Sequence, residues 1–302
     1  MRVFESLDFP FVDRRRVGYV ISGVLLVLSI ISLATRGLEL GIDFKGGQEF
    51  VIGVDGSPEV TAVRDAVSNA LGQSVEVKSF GSDALLVRTT SEEDTPDADV
   101  LQSTIVSTIQ SSFEGSNPRV EKRDIVGPRF ADDLKRGAIY SVFGSLLVIF
   151  LYILIRFEWK FSVGAVAALF HDVTITLGLF SFLHGWLPFS LQIDQAIIAA
   201  FLTIVGYSLN DTVVIFDRIR EYATLFKTQD YNSVVNRSIN RTLSRTVVTS
   251  GTTLLVVATL FIFGGEVLRG FAFALIIGVI IGTYSSIFVA SPIVVELKAR
   301  AN

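Results

Sequence analysis

The stretch that decides the fold runs from Val17 to Thr35 and reads VGYVISGVLLVLSIISLAT. It contains no charged residue, although Arg16 precedes it and Arg36 follows it. The hydrocarbon core of a bilayer is about 30 Å thick and takes about 20 apolar helical residues to cross. No small-residue cleavage site follows, since Ala34-Thr35-Arg36 is a poor one, so the stretch predicts a retained transmembrane helix rather than a signal peptide.

Five further stretches have the same character. Hydrophobic residues make up 50% of the 302, and the mean hydropathy of +0.54 is well above that of an ordinary soluble domain. The sequence therefore predicts a membrane α-helical protein with six transmembrane helices. After the first, at 17–35, they are 137–155, 161–183, 195–216, 246–265 and 271–295.

Lys and Arg residues are unevenly distributed between the two sides that these spans define. The short segments on one side carry 14 of them, whereas the loops near 184–194 and 264–270 on the other side carry only Arg269. By the positive-inside rule, the basic side is cytoplasmic. It comprises both termini, 1–16 and 296–302, the 156–160 turn and a 217–245 loop with an amphipathic helix. Residues 36–136 are then extracytoplasmic, since a domain of that length crosses regardless of its own charge.

The region 36–136 alternates strand and helix patterns in the order βαββαβ, which predicts a ferredoxin-like α+β domain between helices 1 and 2. Its strands are expected at 48–54, 75–80, 84–89 and 120–126, with a hairpin turn at Gly81-Ser82-Asp83. Ser57 is expected to cap the first helix, with Pro58 in its first turn and Gly72 at its end. Thr95-Pro96 is expected to open the second.

Composition excludes several function classes. The 36–136 domain holds 11 Lys/Arg against 18 Asp/Glu, which argues against a nucleic-acid platform. The absence of cysteine and the presence of only two histidines argue against a metal centre. Gly46-Gly47 lacks the downstream Gly-Lys-Ser/Thr of a phosphate loop and predicts a turn. With no nucleophile–base pair, an enzymatic role and a cofactor are not expected.

Asp211, in the fourth predicted span, is the first candidate functional residue. A carboxylate at bilayer depth costs several kcal/mol and usually faces a cavity or a partner. Tyr207 and Ser208 precede it by one helical turn, and Asn210 adjoins it, which favours a wet interior face. The alternative is a carboxylate whose head lies in cytoplasmic water.

Arg245 begins the fifth span and is the second candidate. The span opens with the polar run Thr246, Thr249, Ser250, Gly251, Thr252 and Thr253, so its first turns are expected to face protein or water. We expect Arg245 to reach Asp211 across helices four and five, which would hold the carboxylate ionised. A plain positive-inside anchor remains the alternative.

Other intramembrane features have two interpretations each. Asp172 with His171 in the third span is a supporting proton-pathway candidate or an interhelical hydrogen bond. The pair Gly278 and Gly282 in the sixth span, and the repeat Gly137, Ser141 and Ser145 in the second, indicate close packing. That packing is within this chain or against another membrane subunit.

Several motifs resemble the SecF family of bacterial protein-export membrane subunits, within the SecD/SecF family, over nearly the whole chain. A signature with Gly41, Asp43, Gly46 and Gly47 follows the first helix, and Gly127-Pro128 precedes the second. Phe170-His171-Asp172-Val173 lies in the third span. The most specific motif is TIVGYSLNDTVVIFDRIRE, residues 203–221.

The resemblance implies one half of a fold similar to resistance-nodulation-division (RND) transporters, paired with the SecD subunit in the bacterial inner membrane. It further implies association with the SecYEG channel and often YajC, and use of the proton gradient to draw out preproteins that the SecA motor has pushed in. Protons would be the coupling ion. The family's functional Asp maps onto Asp211 and its functional Arg onto Arg245. A second essential Asp belongs to SecD.

Three rival functions belong to other classes. An RND-type small-molecule or lipid exporter would share the fold but normally has both halves in one chain. An intramembrane aspartyl protease would pair Asp172 with Asp211, but it is expected to carry Gly-x-Gly-Asp where this chain has Ser208-Leu209-Asn210-Asp211. A passive scaffold of the translocation channel is the third. Met1 favours a separate subunit over the second half of a fused chain.

Overall fold

The structure is a computed structural model that describes residues 8–56, 58–81, 83–89 and 97–300. Six helical stretches are long and apolar enough to cross a membrane, as predicted. Most extend past the predicted bounds because the helices continue into polar sequence. They are α1 (Arg15–Arg36), α5 (Pro128–Arg156), α6 (Trp159–Leu183), α7 (Gln195–Leu225), α8 (Tyr231–Phe263) and a last stretch of α9 (Gly265–Ser285), a π-helix (Ser286–Ala290) and α10 (Ser291–Ala299).

The loop within 217–245 is shorter than predicted, and the amphipathic helix expected there is the first part of the helix that becomes the fifth span. Helix α7 continues to Leu225, and α8 begins at Tyr231 and runs without a break to Phe263. Asp230 caps α8 by accepting a hydrogen bond from the Ser233 backbone N–H at 3.3 Å. No Pro or Gly interrupts the first twenty residues of α8, so the basic face and the fifth span form one continuous helix.

Contacts divide the chain into two units. The membrane unit comprises the described residues up to Leu38, Tyr140–Leu183 and those from Ala196 onward, and the sheet unit comprises Glu39–Ile139 and His184–Gln195. Within the membrane unit, α1 packs on α6 where Gly178 meets Ser29, a contact that leaves no room for a side chain. The aromatic residues Phe157, Phe161 and Phe216 form part of its largest buried cluster.

The sheet unit confirms the ferredoxin-like prediction. Four antiparallel strands lie in the order β2-β3-β1-β4, and α3 (Val60–Leu71) and α4 (Ala98–Ser112) pack on one face. The strands are β1 (Gly47–Gly53), β2 (Val75–Phe80), β3 (Ala84–Thr89) and β4 (Arg119–Val126), and the short α2 (Ile42–Lys45) precedes them. Phe50, Ile52, Leu101, Ile105 and Ile109 are fully buried in the core between sheet and helices.

The helix ends in this unit differ partly from expectation. Helix α3 begins at Val60 with Glu59 at its N-cap, so Pro58 precedes the helix instead of lying in its first turn. Gly72 ends α3 in the left-handed conformation, as predicted. Asp97 caps α4 through the Asp99 backbone N–H. Predictions for Ser57, Ser82 and Thr95-Pro96 fall outside the described residues.

The segment 184–195, between the third and fourth spans, is part of the sheet unit, which the sequence analysis did not predict. Leu40 and Ile193 form a parallel β-bridge. The Ile193 N–H donates to the Glu39 carbonyl at 2.8 Å, and the Gly41 N–H donates to the Ile193 carbonyl at 2.7 Å. Leu191 and Ile193 are buried. The segment therefore supplies apolar side chains as well as backbone pairing to this unit.

Candidate functional site

Asp211 lies in the interior of the membrane unit, among hydroxyl groups of two other helices. Its residue is only 3% exposed. The Ser250 hydroxyl on α8 donates to Asp211 Oδ2 at 3.4 Å, and the Ser250 and Thr283 hydroxyls are 2.7 Å apart. Asp211 therefore joins α7 to α8 and, through Ser250, to α9. The location in bulk water that the sequence left open does not apply.

Two residues of the polar start of the fifth span, Ser250 and Thr253, contact α7, whereas Thr249 and Thr252 donate to carbonyls of their own helix. Tyr207, one turn before Asp211 on α7, donates its hydroxyl hydrogen towards Thr253 Oγ1 at 3.3 Å and Ser250 Oγ at 3.5 Å. These side chains thus face α7 and not lipid. Asn210 points to the exposed side of α7, so the structure does not place it in this cluster.

The expected direct pairing of Asp211 with Arg245 is wrong. No ion pair within 4.0 Å joins these two side chains, and Arg245 is exposed. Its positive charge acts on the Asp211 carboxylate only through space. The reason is the position of Arg245 along α8. The residue level with Asp211 is Ser250, five residues or about 7.5 Å beyond Arg245.

Asp172 anchors a second polar cluster, and its residue is 1% exposed. Asp172 Oδ2 accepts hydrogen bonds from Ser208 on α7 at 2.6 Å and from Ser285 on α9 at 2.8 Å. Asp172 Oδ1 is 2.9 Å from Nδ1 of the neighbouring His171. The interhelical hydrogen bond considered from the sequence is thus present. Ser208 was predicted to lie beside Asp211, but its hydroxyl donates to Asp172.

The cluster continues from His171 to the first helix. His171 Nε2 is 3.1 Å from the Ser22 hydroxyl on α1, which is 3.1 Å from the Tyr284 hydroxyl on α9. Tyr284 donates to the Gly18 carbonyl at 2.7 Å, and its ring stacks on the imidazole. One hydrogen-bonded chain therefore connects α1, α6, α7 and α9.

The glycine step in the sixth span packs within this chain. A Cβ on Gly278 would collide with Ile204 on α7, and one on Gly282 would come within 2.9 Å of Ser208 Cβ. The close approach at Gly282 brings α9 near enough for Ser285 to share Asp172 with Ser208. In contrast, nothing lies within 4 Å of a Cβ on Gly137, and Ser141 is exposed, so the α5 repeat makes no comparable contact in the described structure.

The signature around the two glycines is structural. Gly46 and Gly47 have φ of 73° and 121°, which other residues rarely adopt. A Cβ on Gly46 would lie 3.4 Å from the Pro128 Cα, so this turn packs on the Gly127-Pro128 motif. Asp43 Oδ2 accepts a hydrogen bond from the Gln195 N–H, the first residue of α7, at 2.8 Å. The predicted turn is confirmed.

A row of charges crosses the sheet on the face opposite α3 and α4. Glu76, Arg88, Glu49 and Asp124 are register partners on β2, β3, β1 and β4. Arg88 Nε donates to Glu49 at 3.0 Å, Nη1 donates to Glu76 at 3.3 Å, and Nη2 donates to Gln192 at 2.8 Å. The 184–195 segment thus covers a buried ion pair.

Two carboxylates at this face have perturbed acidities. Burial acts to raise the pKa of Glu39, but hydrogen bonds and charges from Lys45 and Lys78 outweigh it, so the pKa lies below its usual value. Glu76 has a lowered pKa for the same reasons, with burial opposed by Lys78 first and Arg88 next. Lys78 therefore supports both carboxylates.

Sequence reasoning missed four members of the membrane clusters: Ser22, Thr283, Tyr284 and Ser285. The last three form a consecutive polar run, and Ser286 extends it, inside a span that was treated as apolar. That run was the available signal. The π-helix that begins at Ser286 was also missed, and such insertions are frequent at functional sites.

Comparison with known proteins places this architecture in a family. Residues 105–300 match the family described as "Protein export membrane protein SecD/SecF, C-terminal", and residues 31–58 match the "SecD/SecF GG Motif". The chain is 66% identical to the protein translocase subunit SecF of Rhodothermus marinus, covering 100% of this chain and 97% of that one. It is 44% identical to the SecF of Desulfurispirillum indicum, with 96% and 92% covered.

Solved structures agree. The crystal structure of SecDF from Thermus thermophilus, described as a translocon-associated membrane protein, matches with a TM-score of 0.87 and 35% identity. A SecDF structure in a super-membrane-facing form matches with a TM-score of 0.70. The first match covers 99% of this chain but 40% of the SecDF chain, so this chain spans less than half of that protein. The chain is thus a multi-pass membrane protein that belongs to the SecD/SecF family, within its SecF group.

Proposed function

We propose that this chain works with SecD in the bacterial inner membrane and uses the proton motive force to assist late preprotein translocation through the SecYEG channel, downstream of SecA and alongside YajC. The observation that carries the proposal is the burial of Asp211 among hydroxyls of α8 and α9. Burying a carboxylate at membrane depth costs free energy. Such residues usually lie on an ion or proton pathway. The extracytoplasmic position of 36–136 belongs to the same proposal and is supported by the Lys/Arg asymmetry.

Protonation of Asp211 would change two interactions at once. The neutral acid is no longer attracted by the positive charge of Arg245. Its carboxyl group also gains an O–H, which can donate to the Ser250 hydroxyl instead of accepting from it. The Ser250 hydroxyl, which bonds either Asp211 or Thr283, then reorients. Helix α7 would shift against α8 and α9 because the hydrogen bonds that join them change direction.

The proton gradient supplies part of the energy for such a shift. One charge moved across 100 mV is worth about 2.3 kcal/mol, whereas inverting an equilibrium from 1:99 to 99:1 takes about 5.5 kcal/mol. One proton in this half can bias two conformations but not fully exchange them. This agrees with a requirement for a second proton site in a partner half.

Helix α7 connects Asp211 to a hydrogen bond at the first residue of the helix. Helix α7 begins at Gln195, whose N–H is held by Asp43, and it carries Asp211 sixteen residues later, about 24 Å along one helix.

The decisive experiment replaces Asp211 with Asn and measures preprotein export driven by a proton gradient in membrane vesicles. The variant keeps the shape of the side chain but cannot ionise, so proton-dependent export should fall to the level seen without a gradient. Asp217→Asn is the matched control, because Asp217 is 42% exposed at its side chain and pairs with Arg156 at the surface.

The same assay separates the proposal from a passive scaffold. A scaffold requires only assembly, so Asp211→Asn would then export normally while the complex with SecD remains intact. Full proton-dependent export by that variant would refute the proton-driven proposal and leave the scaffold role. Copurification of each variant with its membrane partners confirms that assembly is unchanged.

A further inference from the structure

The hydrogen-bonded chain from Gly18 to Asp172 fixes how many protons it holds. A carbonyl oxygen can only accept, so the Tyr284 hydroxyl hydrogen must go to the Gly18 carbonyl, 2.7 Å away. The contact between Ser22 and Tyr284 at 3.1 Å then requires Ser22 to donate its single hydrogen to the tyrosine oxygen. Ser22 has no hydrogen left for His171.

His171 must therefore donate through Nε2. The contact from Nε2 to the Ser22 oxygen is 3.1 Å, and only a protonated Nε2 makes it a hydrogen bond. The tautomer thus follows from the network. A carboxylate beside Nδ1 of a neutral histidine would usually place the single ring hydrogen on Nδ1. Because Nε2 must carry a hydrogen here, the contact at Nδ1 needs an additional proton.

The other end of the chain locates one further proton. Asp172 Oδ2 is occupied by two hydroxyl donors, Ser208 and Ser285. The contact between Asp172 Oδ1 and His171 Nδ1, at 2.9 Å, needs a hydrogen between two atoms that are otherwise both acceptors. That hydrogen lies either on Nδ1, giving an imidazolium and a carboxylate, or on Oδ1, giving two neutral groups. In both cases the pair carries no net charge.

We propose that His171 and Asp172 form a second proton-binding site of the membrane unit, occupied when Ser22 is hydrogen-bonded to Tyr284. Burial favours this occupied state, because the pair without its proton would bear an uncompensated negative charge among residues that are 3% and 1% exposed. The inference concerns proton occupancy alone and does not depend on whether export is proton-driven.

Release of the proton has a defined structural consequence. Nδ1 keeps the remaining hydrogen and donates it to the carboxylate, which leaves Nε2 bare as an acceptor. Ser22 then turns its hydrogen from Tyr284 to Nε2, and its bond to Tyr284 is lost. The proton therefore controls whether Ser22 bonds Tyr284 or His171, while the hydrogen bond from Tyr284 on α9 to Gly18 on α1 remains in both states.

No other charge in the described contacts takes over the role of this proton. From the packed helices the pair is faced by Ser22, Tyr284, Ser208 and Ser285. The titratable groups on those elements include Tyr284 itself, Tyr207 and Asp211 on α7 beside and one turn beyond Ser208, and Tyr19 on α1. Three basic residues at the ends of the helices contact partners there. Arg15 pairs with Glu296 at 2.9 Å, Arg36 donates to the Phe182 carbonyl, and Lys298 lies over the ring of Tyr231.

Nitrogen-15 NMR of histidine tests the site in the full chain reconstituted in lipid bilayers. The sequence has only two histidines, so His184→Gln leaves His171 as the sole imidazole. At about pH 7, we expect a protonated Nε2 and an Nδ1 that is protonated or hydrogen-bonded to an acid proton. An unprotonated Nε2, or an Nδ1 without a hydrogen-bonded proton, would overturn the proposal.

Tyr284→Phe tests the coupling. It removes the acceptor that Ser22 needs only in the occupied state, so the ratio of protonated to unprotonated Nε2 should fall about threefold to tenfold, the equivalent of one hydrogen bond. The matched control is Tyr140→Phe, since Tyr140 is 72% exposed on α5 and should leave the ratio unchanged. Equal ratios in the Tyr284→Phe and Tyr140→Phe proteins across a titration from about pH 5 to about pH 10 would contradict the coupling.

Discussion

At the scale of single residues, Arg88 connects the row of charges on the sheet. Its guanidinium serves Glu49, Glu76 and Gln192 from a side chain that is 5% exposed. Arg88→Ala leaves Glu49 charged, buried and unpaired, which should lower the free energy of unfolding of this unit by about 3–5 kcal/mol. Urea-dependent proteolysis of the full chain in detergent measures that loss.

The control for Arg88 is a surface pair of the same chemistry. Arg123 contacts Asp99, whose side chain is 81% exposed, so Arg123→Ala should change stability by less than about 1 kcal/mol. Equal effects of the two substitutions would show that the buried row of charges does not stabilise the sheet.

Lys78 governs the acid stability of the same unit. Glu39 and Glu76 have pKa values lowered below 4.5, so each contributes stability that is present above that pH and lost as pH falls through the folded value. Lys78→Met removes a cation from both, and the acid-induced loss of stability should then begin at higher pH. Unfolding followed against pH measures this shift.

The comparison for Lys78 is Arg64→Met, which removes a cation from α3 whose side chain, among the described residues, donates a hydrogen bond to Thr61 and forms no ion pair. Its acid-unfolding curve should coincide with that of the parent. A Lys78→Met curve that also coincides would mean that the two carboxylates are not supported by this lysine.

At the scale of elements, Asp43 links α2 to the start of α7. Because its carboxylate accepts from the Gln195 N–H, Asp43→Ala should remove an N-cap-type bond worth about 0.5–2 kcal/mol. Exchange of the Gln195 amide hydrogen should accelerate about twofold to thirtyfold. Asp55→Ala, at an exposed acid that binds Asn117, should leave that amide unaffected. Unchanged exchange in Asp43→Ala would show that this hydrogen bond does not hold the start of α7.

Helix packing at Gly278 gives a second test at this scale. Gly278→Val forces a side chain onto Ile204 and should cost about 1–3 kcal/mol of stability through overpacking between α9 and α7. Gly137→Ala meets open space on α5 and should be neutral or slightly stabilising, since Ala is the better helix former. Thermal unfolding in detergent compares the two. A stable Gly278→Val protein would argue against tight packing there.

Much of this could be predicted from the sequence, and the failures share a cause. Hydrophobic length located six spans, and strand and helix periodicity located the βαββαβ order, because both signals are local. The partners of Asp211 could not be predicted, because whether Arg245 or Ser250 lies level with it depends on how α7 and α8 pack. The bridge between Leu40 and Ile193 joins residues 153 positions apart, and no local pattern reports it.

At the scale of the whole molecule, the predicted orientation can be tested directly, since the chain has no cysteine. We expect Ser111→Cys, on the exposed side of α4, to react with a membrane-impermeant maleimide from outside intact spheroplasts. Thr228→Cys, between α7 and α8, should react only after lysis. The reverse pattern would invert the topology and with it the direction of any proton flow through Asp211.

The participation of residues 184–195 in the sheet unit also has a consequence for biogenesis. Synthesis of 39–139 is finished well before the segment that pairs with Leu40 and covers Arg88 has emerged from the ribosome. The nascent domain must therefore wait with one face open until the third span has been inserted and this segment has followed it. The sheet unit can therefore complete its structure only after the third span has been inserted. Its protease resistance should appear only in nascent chains longer than about 195 residues plus the length held in the ribosome.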